Sequence, residues 1–312
     1  MASPEAEPGS LQGLVIAIFG PTSVGKSEVA VAISELLASE GHASVVVGAD
    51  SMQIYAGLEL LSGAASADQR QRAEHRLLGV IPVQEEFSVA QYAALVHAEI
   101  DLALSRGVTP IVVGGTGLYM QAALTDMPLR PPVPAKTEAD LARRLESEGA
   151  LALHGELEEA SPSAAGRIKP QDHRRLLRAL ALVGEGHSVD DRPGGIWTTQ
   201  YRHPTRLFGL RRARDDLYER INSRVDSIAA TGGAEEVAAA LASGASRTAQ
   251  MALGFKELQS GDLEAMKVNT RRYAKRQMTW LRRLDDAEVF ECAGQSAEQL
   301  ARAILASSAR AA

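Results

Sequence analysis

The chain has 312 residues, 45% of them apolar, and a formal net charge of −6, which suits one large globular domain or two smaller ones. No apolar run approaches the roughly 20 residues that a membrane helix needs. Its single cysteine, Cys292, excludes an intrachain disulfide and a zinc site built on several cysteines. We therefore expect a cytoplasmic protein with no membrane association, whose first ten residues lack the pattern of a signal peptide.

Charge is unevenly distributed along the chain. Residues 1–166 carry 9 Lys and Arg against 21 Asp and Glu, whereas residues 167–283 carry 22 against 13. Within residues 267–283 there are seven basic residues and no acid. Because a basic segment can bind a polyanion while the whole protein stays acidic, the overall charge does not exclude a nucleic-acid partner.

The first part of the chain alternates apolar strands with helices. Short continuous apolar runs at 14–20, 44–48 and 110–113 are typical of buried parallel strands. Apolar residues at helical spacing after Gly25 and over 88–106 predict the intervening helices. This alternation predicts an α/β fold with a parallel sheet covered on both faces.

The pattern changes at residues 127–134, where four prolines fall within eight residues. A strand is predicted over 206–210, returning to the sheet, and the remaining predicted elements are helices over 138–148, 150–159, 171–183, 215–231 and 269–284. The predicted organisation is an α/β core with basic C-terminal helices over 11–126 and 204–290, a mostly helical insertion over 127–203, and flexible termini over 1–10 and 293–312.

The segment Gly20–Ser27 (GPTSVGKS) matches the phosphate-binding pattern G-x-x-x-x-G-K-S/T. Its glycines let backbone N–H groups turn inward around an anion, the following helix N-terminus adds partial positive charge, and Lys26 supplies a full charge. The Ser27 hydroxyl suits a magnesium ligand. Because the motif follows a predicted strand and opens a predicted helix, an ordinary glycine-rich turn is the weaker interpretation.

Two further segments follow buried strands at the same predicted edge of the sheet, where ligands bind in open α/β folds. Asp50 offers a carboxylate that can bind a metal or accept a proton, although a helix-capping role is equally consistent with its position. Residues 114–119 (GGTGLY) offer backbone donors and the Thr116 hydroxyl, and a tight strand-to-helix turn explains them equally well.

Two basic helices are candidates for nucleic-acid contact. Residues 275–283 (KRQMTWLRR) combine positive charges with an indole that can stack on a base, although a tryptophan beside apolar residues often packs in a core. Residues 174–178 (RRLLR) form the second, for which a solvated face is the alternative. Arg220 has Asp216 four residues before it, so a helical ion pair is one interpretation of that arginine.

Together these motifs resemble the bacterial tRNA dimethylallyltransferases (tRNA isopentenyltransferases), a family with a P-loop NTPase-like parallel sheet core. The similar segments occur in the family's order over about residues 14–284. They are GPTSVGKS at 20–27, ADSMQIY at 49–55, VGGTGLY at 113–119, RLLRAL at 175–180, LGF at 253–255 and KRQMTWLR at 275–282. The chain departs from the family pattern at Ala56, where arginine is usual, around Ser62–Ala65, where Gly-Thr-Ala-Lys is usual, and at Arg76.

The resemblance implies a reaction. Dimethylallyl diphosphate would place its diphosphate in the 20–27 loop, where Mg²⁺ on Ser27 and Lys26 neutralise it as it leaves. The exocyclic amine of the adenosine 3′ of the anticodon, in tRNAs reading codons that start with U, would attack the allylic carbon. The implied catalytic residues are Asp50 as general base, Thr116 beside the scissile bond and Arg220 on the diphosphate. The loop would therefore hold a leaving group and hydrolyse no ATP.

The resemblance also implies a partner, the anticodon stem-loop of tRNA, and we expect a monomer. The diphosphate-binding residues would be Gly20, Pro21, Thr22, Ser23, Val24, Gly25, Lys26 and Ser27. The tRNA-facing residues would be Asp50, Ser51, Met52, Gln53, Arg174, Arg175, Leu176, Leu177, Arg178, Lys275, Arg276, Gln277, Thr279, Trp280 and Arg282.

Three other functions remain open at this point. A P-loop small-molecule kinase would also use Lys26 and Ser27 but would not need the basic half. An adenine-nucleotide prenyltransferase would use the same donor, and the long basic half argues against it. A non-enzymatic RNA-binding module would leave the phosphate loop, Asp50 and Thr116 unexplained.

Overall fold

The structure is a computed structural model that describes residue 11 and residues 13–189 and 199–310. The chain divides into two compact units, one formed by Met1–Met127 with Trp197–Ala312 and the other by Pro128–Ile196. Among the described residues, no helix combines the length and apolar character that a bilayer crossing requires.

Eight strands form two sheets in the part of the chain that the structure describes. They are β1 Val15–Phe19, β2 Ser44–Gly48, β3 Tyr55–Ala56, β4 His75–Arg76, β5 Ile81–Pro82, β6 Thr109–Gly114, β7 Thr205–Arg211 and β8 Glu288–Glu291. The main sheet has the order β4-β2-β6-β1-β7-β8, and β3 pairs with β5 in the smaller one. Every pairing is parallel, which confirms the predicted α/β class.

The helices of the first unit lie on both sides of the insertion in sequence. Before the insertion come α1 Lys26–Ser39, α2 Glu59–Ser62, α3 Ala67–Arg72, α4 Val89–Ser105 and α5 Gly117–Leu124. The second unit contains α6 Ala135–Glu148, α7 Ala150–Ala160, α8 Pro162–Ala165 and α9 His173–Gly184. The first unit then continues with α10 Arg214–Ala230, α11 Gly233–Ala242, α12 Phe255–Ser260, α13 Leu263–Leu281 and α14 Ala297–Ala309. A short 3₁₀ turn spans Ala249–Met251.

The main sheet is buried on both faces because its strands are almost wholly apolar. All five residues of β1 are buried, as are all six of β6. Such continuous β-branched runs suit parallel strands covered by helices on both faces. The second unit has a separate core, which includes Leu153, Leu157 and Leu176.

The sheet order brings three strand ends to one edge. Strand β6 lies between β1 and β2, with Phe19 opposite Gly114 and Gly48 opposite Val113. Because parallel strands end at the same side of a sheet, the segments that follow β1, β2 and β6 are neighbours there. These segments contain the phosphate loop, Asp50 and Thr116.

The predicted flexible C-terminus is wrong. Residues 297–309 form helix α14, which starts at a capping box on Ser296 and buries Leu300, Ala301 and Ile304 in the core cluster that includes α1. An Ala- and Ser-rich sequence gave a weak amphipathic signal, yet packing against α1 stabilises the helix. The other predicted flexible segment, 1–10, lies outside the described residues.

The return from the insertion also differs from the predicted boundary at 203. The backbone N–H of Arg202 donates to Leu124 O, and the Arg202 side chain pairs with Asp101 at 3.0 Å and with Asp126 at 3.3 Å. His203 contacts the same Asp101. These bonds place residues 202 and 203 in the first unit.

Candidate active site

The phosphate loop lies between β1 and α1, where the motif predicted it. Gly25 adopts φ 111° at the N-cap of α1, a conformation that glycine reaches without steric cost. Gly20 is tightly packed, since a Cβ there would come within 2.7 Å of Leu210 O. The sharp turn into α1 therefore depends on glycine at both ends of the motif.

Lys26 holds the loop in shape from inside. Its Nζ donates to Gly20 O at 3.0 Å and to Pro21 O at 2.8 Å. Burial lowers the pKa of Lys26 to about 8, while the Asp50 charge opposes the shift and the Arg224 charge adds to it. Lys26 therefore stays mostly protonated at neutral pH and loses its charge as the pH rises through 8.

Helix α10 supplies two arginines to the loop. Arg220 Nε donates to Ser23 O at 2.9 Å, and Arg224 Nη1 donates to Thr22 Oγ1 at 3.1 Å. Asp216 is paired with Arg212 at 2.8 Å, so the alternative pairing of Arg220 with Asp216 is wrong. Burial lowers the pKa of Arg224, and the Asp50 charge opposes that shift.

Sequence reasoning missed Arg224. It lies one helical turn after Arg220, so the i, i+4 spacing was the available signal. A Cβ on Gly63 would come within 2.0 Å of the Arg224 guanidinium, so the guanidinium packs directly on this glycine. Gly63 belongs to the segment that departs from the family pattern.

Asp50 lies beside Thr116 at the sheet edge. Asp50 Oδ1 accepts the backbone N–H of Met52 at 2.9 Å, and Oδ2 accepts the Thr116 hydroxyl at 3.4 Å. Thr116 Oγ1 is also 3.1 Å from the Tyr273 hydroxyl. Burial and the Asp50 charge raise the pKa of Tyr273, so its hydroxyl stays protonated at neutral pH.

Gln277, which was predicted to face tRNA, bonds within the fold through both ends of its side-chain amide. Its side chain is 3% exposed, its Oε1 accepts the backbone N–H of Thr22 at 2.8 Å, and its Nε2 donates to Gly115 O at 2.8 Å. Gln277 therefore ties the phosphate loop to the segment after β6. Both ends of its amide are used by the fold.

The other residues predicted on this helix divide between surface and core. Lys275, Arg276, Thr279 and Arg282 are exposed, as a nucleic-acid contact requires. Trp280 packs against α5, since a Cβ on Gly117 would come within 1.7 Å of its ring. The indole is partly buried, so only part of it is accessible to a base.

The predicted segment on α9 is likewise mixed. Arg174 and Arg175 are exposed, whereas Leu176 is 0% exposed in the core of the second unit, so a tRNA contact of its side chain is wrong. Leu177 packs partly against the same core. Arg178 donates to Pro131 O and lies 3.9 Å from Glu138.

Within the first unit, a cavity of about 390 Å³ is lined by the phosphate loop, the segments that follow β2 and β6, and helices α10 and α13. Its polar wall includes Lys26, Ser27, Asp50, Arg220 and Arg224. Ser51, Met52 and Gln53 also line it, and Gln53 Nε2 donates to Gly63 O at 3.0 Å. The lining also includes the polar side chains of Tyr273 and Arg276, and a group of apolar residues, Leu61, Val225, Ile228, Met251 and Met266.

The described residues contain no cluster of three or more His, Cys, Asp or Glu side chains that could hold a metal ion. Mg²⁺ does not need one, because it binds through one or two protein oxygens, substrate phosphates and water. The Ser27 hydroxyl at the start of α1 fits such a ligand set. These features define a P-loop α/β protein whose anion site shares one cavity with a carboxylate.

Comparison with known proteins gives the family. Residues 53–284 match the IPP transferase family. A tRNA dimethylallyltransferase of Geobacillus thermodenitrificans (strain NG80-2) is 36% identical over 292 residues, covering 89% of this chain and 90% of that protein. Another, of Geobacillus kaustophilus (strain HTA426), is 36% identical over 304 residues, covering 92% and 93%.

A solved structure agrees with these relatives. The full-length tRNA isopentenylpyrophosphate transferase from Bacillus halodurans superposes with a TM-score of 0.68 at 29% identity, covering 96% of this chain and 97% of that one. The chain therefore belongs to the IPP transferase family, that of the tRNA dimethylallyltransferases.

Proposed function

We propose that this protein transfers a dimethylallyl group from dimethylallyl diphosphate to the exocyclic amine of the adenosine 3′ of the anticodon, in tRNAs reading codons that start with U. The observation that carries this proposal is the position of Asp50. Its carboxylate lines the same cavity as the phosphate loop and bonds to Thr116. A proton acceptor is therefore within reach of a nucleophile that attacks a carbon bonded to the diphosphate.

The loop end of the cavity suits a diphosphate. Lys26, Arg220 and Arg224 bring three cationic side chains to it. Within the described protein, the buried Ser23 hydroxyl has no hydrogen-bond partner, and a phosphate oxygen would accept a hydrogen bond from it. Charge stabilisation of this kind is most effective where the departing group gains charge, as a diphosphate leaving group does.

The proposed chemistry is a single displacement. The exocyclic nitrogen forms a bond to C1 of the allyl group while the C1–O bond to the diphosphate breaks. The displaced amine proton passes to Asp50, and diphosphate leaves with the bonding electron pair. The Thr116 hydroxyl, between Asp50 and Tyr273, orients the carboxylate for this transfer.

Ser27 would hold Mg²⁺ against the phosphate oxygens. The ion would supply Lewis-acid neutralisation of the leaving diphosphate. Lys26 supports the same charge from the protein side, since a pKa of about 8 keeps most of its amine protonated at neutral pH.

The macromolecular substrate fits the exposed basic surface of α13. Lys275, Arg276 and Arg282 are exposed there and would contact tRNA phosphates. The adenosine has to leave the anticodon loop to reach a cavity, as in other enzymes that modify a base. We propose that the protein acts as a monomer in the cytoplasm, the compartment in which tRNA is available to it.

A mass measurement tests this function. The purified protein is incubated with Mg²⁺, dimethylallyl diphosphate and unmodified tRNA reading a U-starting codon, and the digested nucleosides are weighed. We expect one adenosine to gain the mass of a dimethylallyl group. A prenylated free nucleotide or a phosphorylated small molecule, with unchanged tRNA, would overturn the proposal in favour of a nucleotide prenyltransferase or a kinase.

A further inference from the structure

The cavity has a charged end at the phosphate loop and an apolar end farther along helix α10. Contacts between α10 and α13 fix how far apart these two ends lie. Helices α10 and α13 run antiparallel along the cavity, because Arg271 Nη1 donates to Asn222 Oδ1 at 2.7 Å and Lys267 Nζ lies 2.8 Å from Asp226 Oδ1. Later residues of α10 therefore lie beside earlier residues of α13. The two helices form two walls of the cavity.

Along α10 the cavity face changes from charged to apolar in two turns. Arg220 and Arg224 contact the phosphate loop, and Ile228 follows at the same helical spacing and lines the cavity. Met266 of α13 lies at the level of Ile228, given the pairing of Asp226 with Lys267. We call Leu61, Ile228 and Met266 the apolar floor.

The apolar floor is rigidly held. Ile228 is 7% exposed and Met266 is 2% exposed. Gly254 adopts φ 93°, and a Cβ there would come within 2.4 Å of Met266 Cε and 3.0 Å of Leu61 Cδ1. The methionine terminus is therefore packed directly on the Gly254 backbone, which restricts the movement of an otherwise adaptable side chain.

The spacing between the charged and apolar positions of α10 is close to the length of one isoprene unit. Four residues of helix separate Arg224 from Ile228, a rise of about 6 Å. A five-carbon allyl chain extends about 4–5 Å from its first carbon, at about 1.5 Å per carbon–carbon bond. A ten-carbon chain of the same kind is about twice as long as this spacing, so it would have to displace the apolar floor.

We propose that Ile228 and Met266 are specificity-determining residues that restrict the donor to a five-carbon prenyl diphosphate. This inference rests on the proposed function, because it assigns the diphosphate to the phosphate loop and the prenyl chain to the apolar floor. The competing occupant of the apolar floor is the purine ring of the target adenosine, and the experiment separates the two.

The test is a competition between two donors. Equimolar dimethylallyl and geranyl diphosphate are offered with unmodified tRNA, and the masses of the modified adenosines give the ratio of ten-carbon to five-carbon product. We expect the wild-type protein to form the five-carbon product. Met266→Ala should raise the ratio at least about tenfold, since a misfitting methylene in an apolar pocket costs about that factor.

Two conservative variants serve as a matched pair in case Met266→Ala does not fold. Ile228→Val removes one methyl group from the apolar floor, and Ile221→Val removes the same group from α10 where it packs in the main core. We expect only Ile228→Val to raise the product ratio. Binding of each diphosphate alone, measured by titration calorimetry, should show the same change in preference without tRNA.

Several outcomes would overturn the inference. A ratio that stays unchanged in Met266→Ala and Ile228→Val, or that rises equally in Ile221→Val, would show that the apolar floor does not select the donor. A raised KM for tRNA with an unchanged ratio would place the purine there instead. Failure of the proposed function is distinguishable, because the wild-type protein would then transfer neither group to tRNA.

Discussion

Two sets of basic residues differ in what surrounds them. Arg220 and Arg224 of α10 bond to the phosphate loop, and burial lowers the pKa of Arg224. Arg276 and Arg282 of α13 are exposed, and Arg276 lies over the Tyr273 ring, 5.5 Å from its centroid. The first set, which we call the inner set, has polar partners within the protein. The second, the outer set, is exposed to water, although Arg276 also lines the cavity.

This difference separates two kinds of anion recognition on neighbouring helices. Charges removed from water interact strongly and are little screened by salt, which suits a small and highly charged diphosphate. Exposed charges act through counterion release along a polyanion, with weak individual contributions. The following variants should therefore affect either chemistry or tRNA affinity, but not both.

The largest effect is expected at Asp50, within the inner set's cavity. Asp50→Ala should lose about 10²–10⁴ in turnover, as loss of a general base does, while tRNA affinity stays unchanged. Single-turnover transfer at saturating donor measures the effect. Asp50→Asn is the matched control, since an amide oxygen can still accept the Met52 N–H but is a poor base. Wild-type turnover in either variant would contradict the assigned role.

Arg224→Ala should have the next largest effect. Removing one partner of a buried charged contact costs about 2–5 kcal/mol, so kcat/KM for the donor should fall by a factor of about 30 or more. The salt dependence of tRNA binding should not change. Arg224→Lys should recover only part of the loss, because it keeps the charge without the planar donor set. An equal loss of tRNA affinity would remove the distinction between the two sets.

A pH series tests the charge of Lys26, which lies beside the inner set in the same cavity, without the loss of any side chain. Burial lowers the pKa of Lys26 to about 8, so the free site loses this positive charge as pH rises through 8. The KM for the donor should therefore rise above pH 8, by up to about tenfold per pH unit, and stay level between pH 7 and 7.5. Lys26→Arg should be slower but show no such rise, and a flat wild-type profile would contradict the shift.

Much of the fold could be predicted from sequence because its signals are local. Strands β1, β2 and β6 are continuous apolar runs, and the phosphate loop is a contiguous motif. The C-terminal segment was predicted only as a weak helix or flexible tail, because its sequence is rich in small residues and the stability of α14 comes from packing on α1. Strand β8 escaped prediction, because three of its four residues are exposed.

The residues of the candidate site could be predicted from sequence only where they lie in a short continuous motif, as in the phosphate loop. The resemblance placed Gln277 on the tRNA-facing side, and the pattern of a basic amphipathic helix does not reveal that this residue bonds to a loop 255 positions earlier in the chain. Arg224 is no different in sequence from a surface arginine. Its role emerges only when α10 packs beside the loop and Gly63 leaves space for the guanidinium.

The smallest expected effect lies in the outer set. Arg276→Ala and Arg282→Ala should each weaken tRNA binding a few-fold and reduce the slope of log K against log salt by about 0.7–0.9, the loss of about one phosphate contact. Turnover at saturating tRNA should not change in Arg282→Ala, which is the cleaner of the two variants because Arg276 also lines the cavity. Filter binding between low and moderate salt measures the slopes.

Arg302→Ala on α14 is the matched control, because Arg302 is also an exposed helical arginine but pairs with Glu298 at 2.7 Å. It should leave the slope unchanged. If Arg276→Ala and Arg282→Ala behave like this control, then these exposed arginines do not contact tRNA phosphates. The basic surface that binds tRNA would then have to be sought among other exposed arginines, such as Arg174 and Arg175 of α9, by the same slope measurement.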